Sequence, residues 1–105
     1  MFITFEQNNS GGYFIKNEDV DEYVIIEGNS EKEIYNKAKD IFENYQGYCE
    51  CCGRRWDYWG TEENENEPTI YGESVYLFKD GFEMDAKAII HRMDGSREKI
   101  DISKE

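Results

Sequence analysis

The first quarter of the chain alternates between apolar and polar residues in short runs that predict β-strands. In the run 1–6 the odd-numbered positions are apolar, which is the period of a half-buried strand. Turn-forming residues fill positions 7–12 and an apolar run resumes at 13–16, so the two runs predict a hairpin with a long loop. The β-branched run 22–27 predicts a central strand of the same sheet.

A helical period replaces this alternation after residue 28. Ser30 and Glu33 form a capping box, in which a hydroxyl and a carboxylate satisfy the free amide groups at a helix start. We expect the helix to end at Gln46, with Gly47 supplying the left-handed residue that follows many helices. The apolar positions that recur at helical spacing are Ile34, Ala38, Ile41, Phe42 and Tyr45.

The chain after the helix returns to short runs. Acidic and amide residues dominate positions 62–68, which predicts an exposed acidic loop that ends at the single proline. The runs 69–71 and 75–78 then predict two short strands around Gly72.

The C-terminal part carries the clearest turn signal. Asp94-Gly95 separates the runs 86–93 and 97–102, and this dipeptide favours a two-residue hairpin because both turn positions need positive φ. Taken together, the elements predict a single α+β domain over residues 1–105. In this domain one helix packs on an antiparallel sheet of about five to six strands, with a cysteine-rich loop after the helix.

The composition restricts the partners and the location of the protein. A chain of 105 residues is long enough for one domain, and its 15% aromatic content can build a core although only 38% of the residues are hydrophobic. The net charge of −12 argues against non-specific binding to nucleic acid, because that binding needs cationic side chains against the phosphates. With no basic leader and no long apolar run, we expect a cytoplasmic protein without a signal peptide or a membrane span.

The three cysteines lie within four positions, at the start of a stretch that also holds both tryptophans. Cys49 and Cys52 have the spacing of half a zinc knuckle, and Cys51 with the distant His91 would bring such a site to four ligands. Asp57, or a second subunit of a homo-oligomer, is another source of the missing ligand. Two other interpretations stay open, namely reduced thiols that serve the structure and a redox pair. Zinc is the one cofactor that the sequence suggests.

Arginines and aromatic residues follow the cysteines directly. Arginine offers a fork of donors for phosphate or carboxylate, and aromatic rings can stack on a base or anchor a protein partner. The residues with these properties are Arg54, Arg55, Trp56, Tyr58 and Trp59. The alternative interpretation is that one tryptophan fills the core and the neighbouring aspartate neutralises an arginine.

The polar turn near the N-terminus is a second candidate for ligand binding. Asn8, Asn9 and Ser10, followed by two glycines, could form a backbone nest for an anion. The turn lacks the Lys-Ser/Thr ending of a P-loop, so a polar hairpin loop is the simpler interpretation. We expect His91 to be a packed or surface histidine rather than a catalytic one, since no nucleophile stands in a recognised motif. The sequence therefore does not predict an enzyme.

Three motifs stand out when they are taken in order: FEQNNSGG at 5–12, CECCGRRW at 49–56 and EPTIYGE at 67–73. Together they resemble a family of small bacteriophage-encoded proteins that is described as a domain of unknown function. The resemblance covers roughly the first three quarters of the 105 residues. It implies a phage origin and a location in the cytoplasm of the infected bacterium, and it implies no activity.

These observations lead to the hypothesis of a non-enzymatic phage accessory protein that binds a host factor, in host takeover or in anti-defence. It would dock on a host bacterial protein or sequester a small nucleotide signal through the arginine and aromatic cluster. A small structural zinc module without such a role is one alternative. An acidic DNA mimic is another, although the acidic residues are spread along the chain rather than placed on one helix.

Overall fold

The regular secondary structure in the described part of the chain consists of one helix and nine short strands. The structure is a computed structural model, and it describes residues 1–8, 14–45, 48–49, 53–56, 59–70, 72–76 and 86–102. In chain order the elements are β1 (Phe2–Glu6), β2 (Tyr23–Glu27), α1 (Glu31–Glu43), β3 (Tyr48–Cys49), β4 (Gly53–Arg54), β5 (Glu62–Asn64), β6 (Thr69–Ile70), β7 (Glu73–Ser74), β8 (Ala86–His91) and β9 (Arg97–Ile102). Among the described residues, no helix has both the length and the apolar character needed to cross a bilayer.

Five strands form one sheet in the order β5-β1-β2-β8-β9. β1 pairs antiparallel with both β2 and β5, and β8 pairs antiparallel with β9. β2 and β8 run parallel, with Tyr23 opposite Ala88 and Ile26 opposite His91. The sheet is therefore mixed, and the prediction of a purely antiparallel sheet is wrong at this central pairing. A parallel pair needs a long crossover connection, and α1 with the segments after it supplies one.

Both faces of the sheet are covered by other parts of the chain. On one face, Ile3 and Phe5 of β1 and Ile26 of β2 pack with the buried side of α1. On the other face, the β6–β7 hairpin packs over the sheet. Because β2 is buried on both faces, its sequence is an uninterrupted apolar run up to Ile26 rather than an alternating pattern. The core of the second face comprises Phe2, Tyr23, Ile25, Ile70, Val75, Ala88 and Ile90.

The helix α1 begins at the predicted cap. The Ser30 hydroxyl accepts a hydrogen bond from the backbone N–H of Glu33 at 3.2 Å. In return, the Glu33 carboxylate accepts from the backbone N–H of Asn29 at 3.4 Å. The predicted helix start is therefore confirmed. The side of the helix that faces the sheet is also confirmed, because the fully buried helical residues are Ile34, Ala38 and Phe42.

The helix ends earlier than the sequence predicts. Its last residue is Glu43 and its cap is Asn44, whereas the pattern placed the end at Gln46. The side-chain amide of Asn44 donates to the carbonyl of Asp40 at 3.1 Å, which is the kind of local bond by which asparagine competes with helix continuation. Gln46 and the expected left-handed Gly47 lie outside the described residues.

The strand predicted at 13–16 is absent from its described part, residues 14–16. The backbone N–H of Ile15 donates to the side chain of Gln7 at 2.7 Å, and its carbonyl accepts from that same side chain at 3.0 Å. Because a side chain satisfies these backbone groups, the segment does not join a ladder. The first hairpin prediction is therefore wrong, and β1 pairs with β2 instead.

The predicted C-terminal hairpin is confirmed, with a longer loop than expected. The backbone N–H of Arg92 donates to the carbonyl of Ser96 at 2.9 Å, and that of Gly95 donates to the carbonyl of Arg92 at 3.0 Å. Gly95 has φ of 88°, the left-handed position of a three-residue loop. The hydroxyl and the backbone N–H of Ser96 both donate to the Asp94 carboxylate and lower its pKa.

The acidic run 62–68 contains both a strand and a loop. Its first part is the edge strand β5, residues 65–67 are exposed, and Pro68 is buried. The first of the short strands predicted around Gly72 is present as β6, which pairs with β7 in a hairpin where Gly72 has φ of 79°. The second, predicted at 75–78, is wrong in its described part, because Val75 and Tyr76 lie in a turn after β7. Positions 71, 77 and 78 of these two predictions lie outside the described residues.

Candidate functional site

The stretch after the cysteines enters the core at Trp56. This residue forms an isolated bridge with Gln7, just beyond the end of β1, and the backbone N–H of Asn8 donates to the carbonyl of Arg55 at 2.8 Å. The indole of Trp56 is 0% exposed and stacks on the ring of Phe42, with centroids 4.3 Å apart and planes 2° from parallel. Trp56 therefore fills the space between α1 and the end of β1, as in the interpretation that places one tryptophan in the core.

Arg55 is also buried, with only 3% of its surface exposed. Its Nη1 donates to the Gln7 side-chain oxygen at 3.0 Å. The side-chain nitrogen of Gln7 donates in turn to the carbonyls of Ile15 and Asp21, at 3.0 and 2.9 Å. With the bond from the Ile15 N–H, Gln7 joins three separate segments of the chain. An ionised donor is expected to make this buried network stronger than a neutral one.

Gln7 was not among the residues singled out from the sequence, although a signal for it exists. It continues the odd-numbered series of Ile3 and Phe5, whose side chains face the helix. The same alternation therefore places position 7 on the buried face. A polar residue at a buried position needs hydrogen-bonding partners, and Gln7 is 2% exposed and has them.

Trp59 differs from Trp56 in that its side chain is 81% exposed. The segment that carries it is held against β1. A Cβ added to Gly60 would lie 2.3 Å from Cγ2 of Ile3, so the close approach needs glycine. The next backbone N–H, that of Thr61, donates to the Thr4 carbonyl at 2.7 Å. Trp59 is thus a large exposed aromatic residue beside a fixed backbone.

The surroundings of Trp59 along the chain are acidic. The carboxyl group of Glu63 in β5 lies beside that of Glu31 at the helix start. A proton shared between these two groups, together with the charges of Glu31 and Glu65, raises the pKa of Glu63. The carboxylate of the neighbouring Glu62 is not part of this acidic group, because it accepts a hydrogen bond from the Thr69 hydroxyl at 2.7 Å. We refer to these three glutamates, Glu31, Glu63 and Glu65, together with Trp59 in the chain segment that leads into β5, as the β5 surface. Such a surface suits a cationic partner.

The remaining predicted contact residues are divided between the described and the undescribed parts of the chain. Arg54 lies in β4, where its backbone alone is described, and Asn8 is half-buried. Tyr58, Asn9 and Ser10 lie outside the described residues. Ligand binding by Arg55 and Trp56 stays a prediction, and it would require these buried side chains to leave the core.

The zinc prediction is not tested by the described residues. Cys49 lies in β3 with its backbone described, and Cys51 and Cys52 lie outside the described part of the chain. His91 is buried in β8, with its Nε2 atom 2.7 Å from the carbonyl oxygen of Asp19. Among the side chains that the structure describes, no three His, Cys, Asp or Glu residues converge as metal ligands.

His91 is the buried member of a polar cluster that also contains Asp19, Tyr45 and Arg97. Burial lowers the pKa of its imidazole, against the opposite effect of the hydrogen bond to the Asp19 carbonyl. The Asp19 carboxylate contacts Nη2 of Arg97 at 2.7 Å and accepts from the Tyr45 hydroxyl at 2.5 Å. That bond is the main reason why the pKa of Tyr45 is raised. The cluster joins the loop before β2 to the residues just after α1 and to β8 and β9.

We expect the free energy of unfolding to fall as the pH is lowered from neutral through 6.5, the ordinary pKa of a histidine. In that window the unfolded chain takes up a proton on His91, whereas the native imidazole stays neutral because its pKa is lowered. The measurement is urea unfolding at a series of pH values for the wild type and for His91→Gln. Since the chain has one histidine, the variant should show a shallower slope in this window. Equal slopes would contradict a lowered native pKa.

Similarity to known proteins identifies the family of the chain but no activity. No curated protein and no solved structure matches it. The resemblance to a domain of unknown function, first suggested by three motifs, holds over the full length. A family described as Domain of unknown function (DUF7296) matches residues 1–105, and the chain therefore belongs to this family.

Proposed function

We propose that the protein is a non-enzymatic accessory protein of a bacteriophage that binds a host protein through the β5 surface. The observation that carries the proposal is the position of Trp59, an indole that is 81% exposed and directly precedes Gly60 and Thr61, where the chain contacts β1. Tryptophan is among the residues that dominate binding energy at protein interfaces. An anchor next to such a contact loses less conformational entropy when a partner covers it than an anchor in the middle of a free loop. The phage and host parts of the proposal rest on the three sequence motifs.

The charge of this region indicates the chemistry of the partner. The chain carries a net charge of −12, and the raised pKa of Glu63 reflects carboxylates that face one another. A cationic side chain placed near Glu31 and Glu63 would relieve this repulsion. A basic surface on the partner would also be drawn to the protein at long range, which raises the association rate.

Docking on a protein is better supported than sequestering a nucleotide. A nucleotide site needs exposed cations for the phosphates, and the Arg55 guanidinium is buried and bonded to Gln7. The carboxylates of the β5 surface would repel phosphate groups. The β5 surface therefore favours a basic protein over an anionic small molecule.

The partner can be found and the surface tested in two steps. A photoreactive amino acid at position 59 should crosslink a host protein inside the bacterium, and the same amino acid at position 36 is the control. Asn36 is exposed on α1, so crosslinking from there reports unspecific neighbours. The crosslinked protein is then purified, and its affinity for the wild type is measured by calorimetry. A set of proteins that is the same from both positions would contradict the proposal.

In the second step, Trp59→Ala should weaken binding of that protein by about thirtyfold or more, which corresponds to about 2 kcal/mol. Glu63→Lys should weaken it further and reduce its dependence on salt, because an attractive charge becomes a repulsive one. Asn36→Ala serves as the matched control and should leave the affinity unchanged. Unfolding curves establish that each variant is folded. An affinity that Trp59→Ala leaves within about twofold of the wild type would remove the β5 surface from the proposal.

A further inference from the structure

The two ends of the five-stranded sheet differ in length and in charge. One end is β5, a strand of three residues that contains Glu62 and Glu63. The other end is β9, a strand of six residues. Among the described residues, β9 hydrogen-bonds to β8 alone, so its outer edge has backbone groups available for a further strand.

The charges of β9 balance although those of the whole chain do not. The positive charges of Arg97 and Lys99 equal in number the negative charges of Glu98 and Asp101. The strand is therefore neutral in a chain with a net charge of −12. A second copy of the chain would be repelled from most of the surface, and from the acidic edge of β5. It meets no net repulsion along β9.

We propose that two copies of the chain pair their β9 strands antiparallel, about a two-fold axis through Ile100. In this register Ile100 lies opposite the partner's Ile100. Lys99 lies opposite the partner's Asp101, and the symmetry repeats this pair on the other side of the axis. Opposite charges at directly opposed positions stabilise an antiparallel pair, and like charges destabilise it.

The backbone register of β9 against β8 separates these positions. Positions 99 and 101 lie opposite Ile89 and Lys87 of β8 and share one face of the sheet, and position 100 lies on the other face. Moving the axis to Lys99 would oppose two lysines, and moving it to Asp101 would oppose two aspartates. An axis at Glu98 would oppose two glutamates. Of these registers, the one centred on Ile100 is the one that opposes no like charges, and the pattern of charges therefore favours it.

The core also continues to this edge. Ile100 is partly buried and packs against the apolar cluster that contains Ala88 and Ile90. In the dimer the two copies of Ile100 meet, and the two cores join across a continuous sheet of ten strands. Small domains gain stability from such a contact, because their own core is limited in size. The β5 surfaces lie at the far ends of this sheet, so dimerisation leaves partner binding unobstructed.

Two charge reversals test the register directly. The wild type should give a native mass of twice the 12.4 kDa chain. In Lys99→Asp, the aspartate introduced at position 99 would lie opposite the partner's Asp101, and in Asp101→Lys, Lys99 would lie opposite the lysine introduced at position 101 of the partner. The dimer affinity of each variant alone should therefore be lower than that of the wild type by about tenfold or more. An equimolar mixture of the two variants should restore a dimer that contains one chain of each kind, because every opposed pair is again of opposite charge. Native mass spectrometry distinguishes this heterodimer from the homodimers.

Each result decides the proposal. A monomeric wild type, variants that dimerise as well as the wild type, or a mixture that stays monomeric would overturn it. Asp101→Lys introduces a lysine opposite Lys87 of its own chain, so circular dichroism must show that it is folded. If it is not, Ile100→Lys replaces it and should abolish the dimer by placing two lysines on the axis. Glu63→Lys at the other end of the sheet is the control and should leave the dimer intact.

Discussion

Replacing Trp56 with alanine should lower the free energy of unfolding by about 3–5 kcal/mol, the usual cost of removing a large aromatic side chain from a core. The indole is 0% exposed and stacks in parallel on the ring of Phe42, with ring centroids 4.3 Å apart. Removing it loses the buried apolar surface and the stacking contact, and it leaves a cavity between α1 and the end of β1. The measurement is urea unfolding followed by far-ultraviolet circular dichroism, which does not depend on the indole itself.

The chain provides a matched control for this experiment three positions later. Trp59→Ala removes the same side chain from a site that is 81% exposed, and it should change stability by no more than about 0.5 kcal/mol. Domains of this size are stable by about 5–15 kcal/mol, so Trp56→Ala would remove a large share of the total. Equal and small losses for the two variants would contradict the placement of Trp56 in the core.

The burial of Trp56 and the exposure of Trp59 could not be predicted from the local sequence. Both lie in one short aromatic stretch, and nothing in their spacing distinguishes the core residue from the exposed one. The distinction comes from contacts distant in sequence, namely the bridge to Gln7 and the stacking on Phe42. For Trp59 it comes from the approach of Gly60 to β1. Local patterns carry no information about such contacts.

Elements governed by local chemistry were predicted well. The helix start depends on Ser30 and Glu33, three residues apart, and the C-terminal hairpin depends on Asp94-Gly95. The structure confirms both, because the forces that determine them act within a few residues. The apolar alternation of β1 likewise predicts a strand with one side toward the helix.

Elements governed by long-range pairing were predicted less well. The parallel pairing of β2 with β8 joins strands that are far apart in the chain, and no turn signal can indicate it. The segment 14–16 has the residues of a strand, but Gln7 takes the backbone groups of Ile15 that a ladder would need. In both cases the deciding partner lies outside the local window.

The two proposed interfaces divide the sheet between them. In the two proposals, partner binding would use the acidic end, where Glu31 and Glu63 face one another, and self-association would use the neutral end at β9. The difference follows from charge, since copies of a chain with a net charge of −12 repel one another least along a strand whose own charges balance. A dimer would hold two β5 surfaces apart at opposite ends of one rigid sheet, and a partner with two basic sites would bind it with higher avidity.

The second large effect is expected at Gln7. Gln7→Ala should lower the free energy of unfolding by about 2–4 kcal/mol. This is a large loss for a glutamine near the end of a strand, where a substitution usually changes stability little. The variant loses four hydrogen bonds at once. It leaves the Ile15 N–H and the carbonyls of Ile15 and Asp21 without this partner in a buried environment, which costs more than the bonds themselves contribute.

A double-mutant cycle with Arg55 separates this network from simple loss of packing. If the bond from the Arg55 guanidinium to Gln7 stabilises the fold, the combined variant Gln7→Ala/Arg55→Ala should lose less than the sum of the single variants, by about 0.5–3 kcal/mol. Asn36→Ala on the exposed side of α1 is the control, and it should be additive with either change. Additive losses at Gln7 and Arg55 would show that the two side chains act independently. The buried arginine would then stabilise the fold through its other contacts, and the hydrogen bond between Gln7 and Arg55 would contribute nothing to stability.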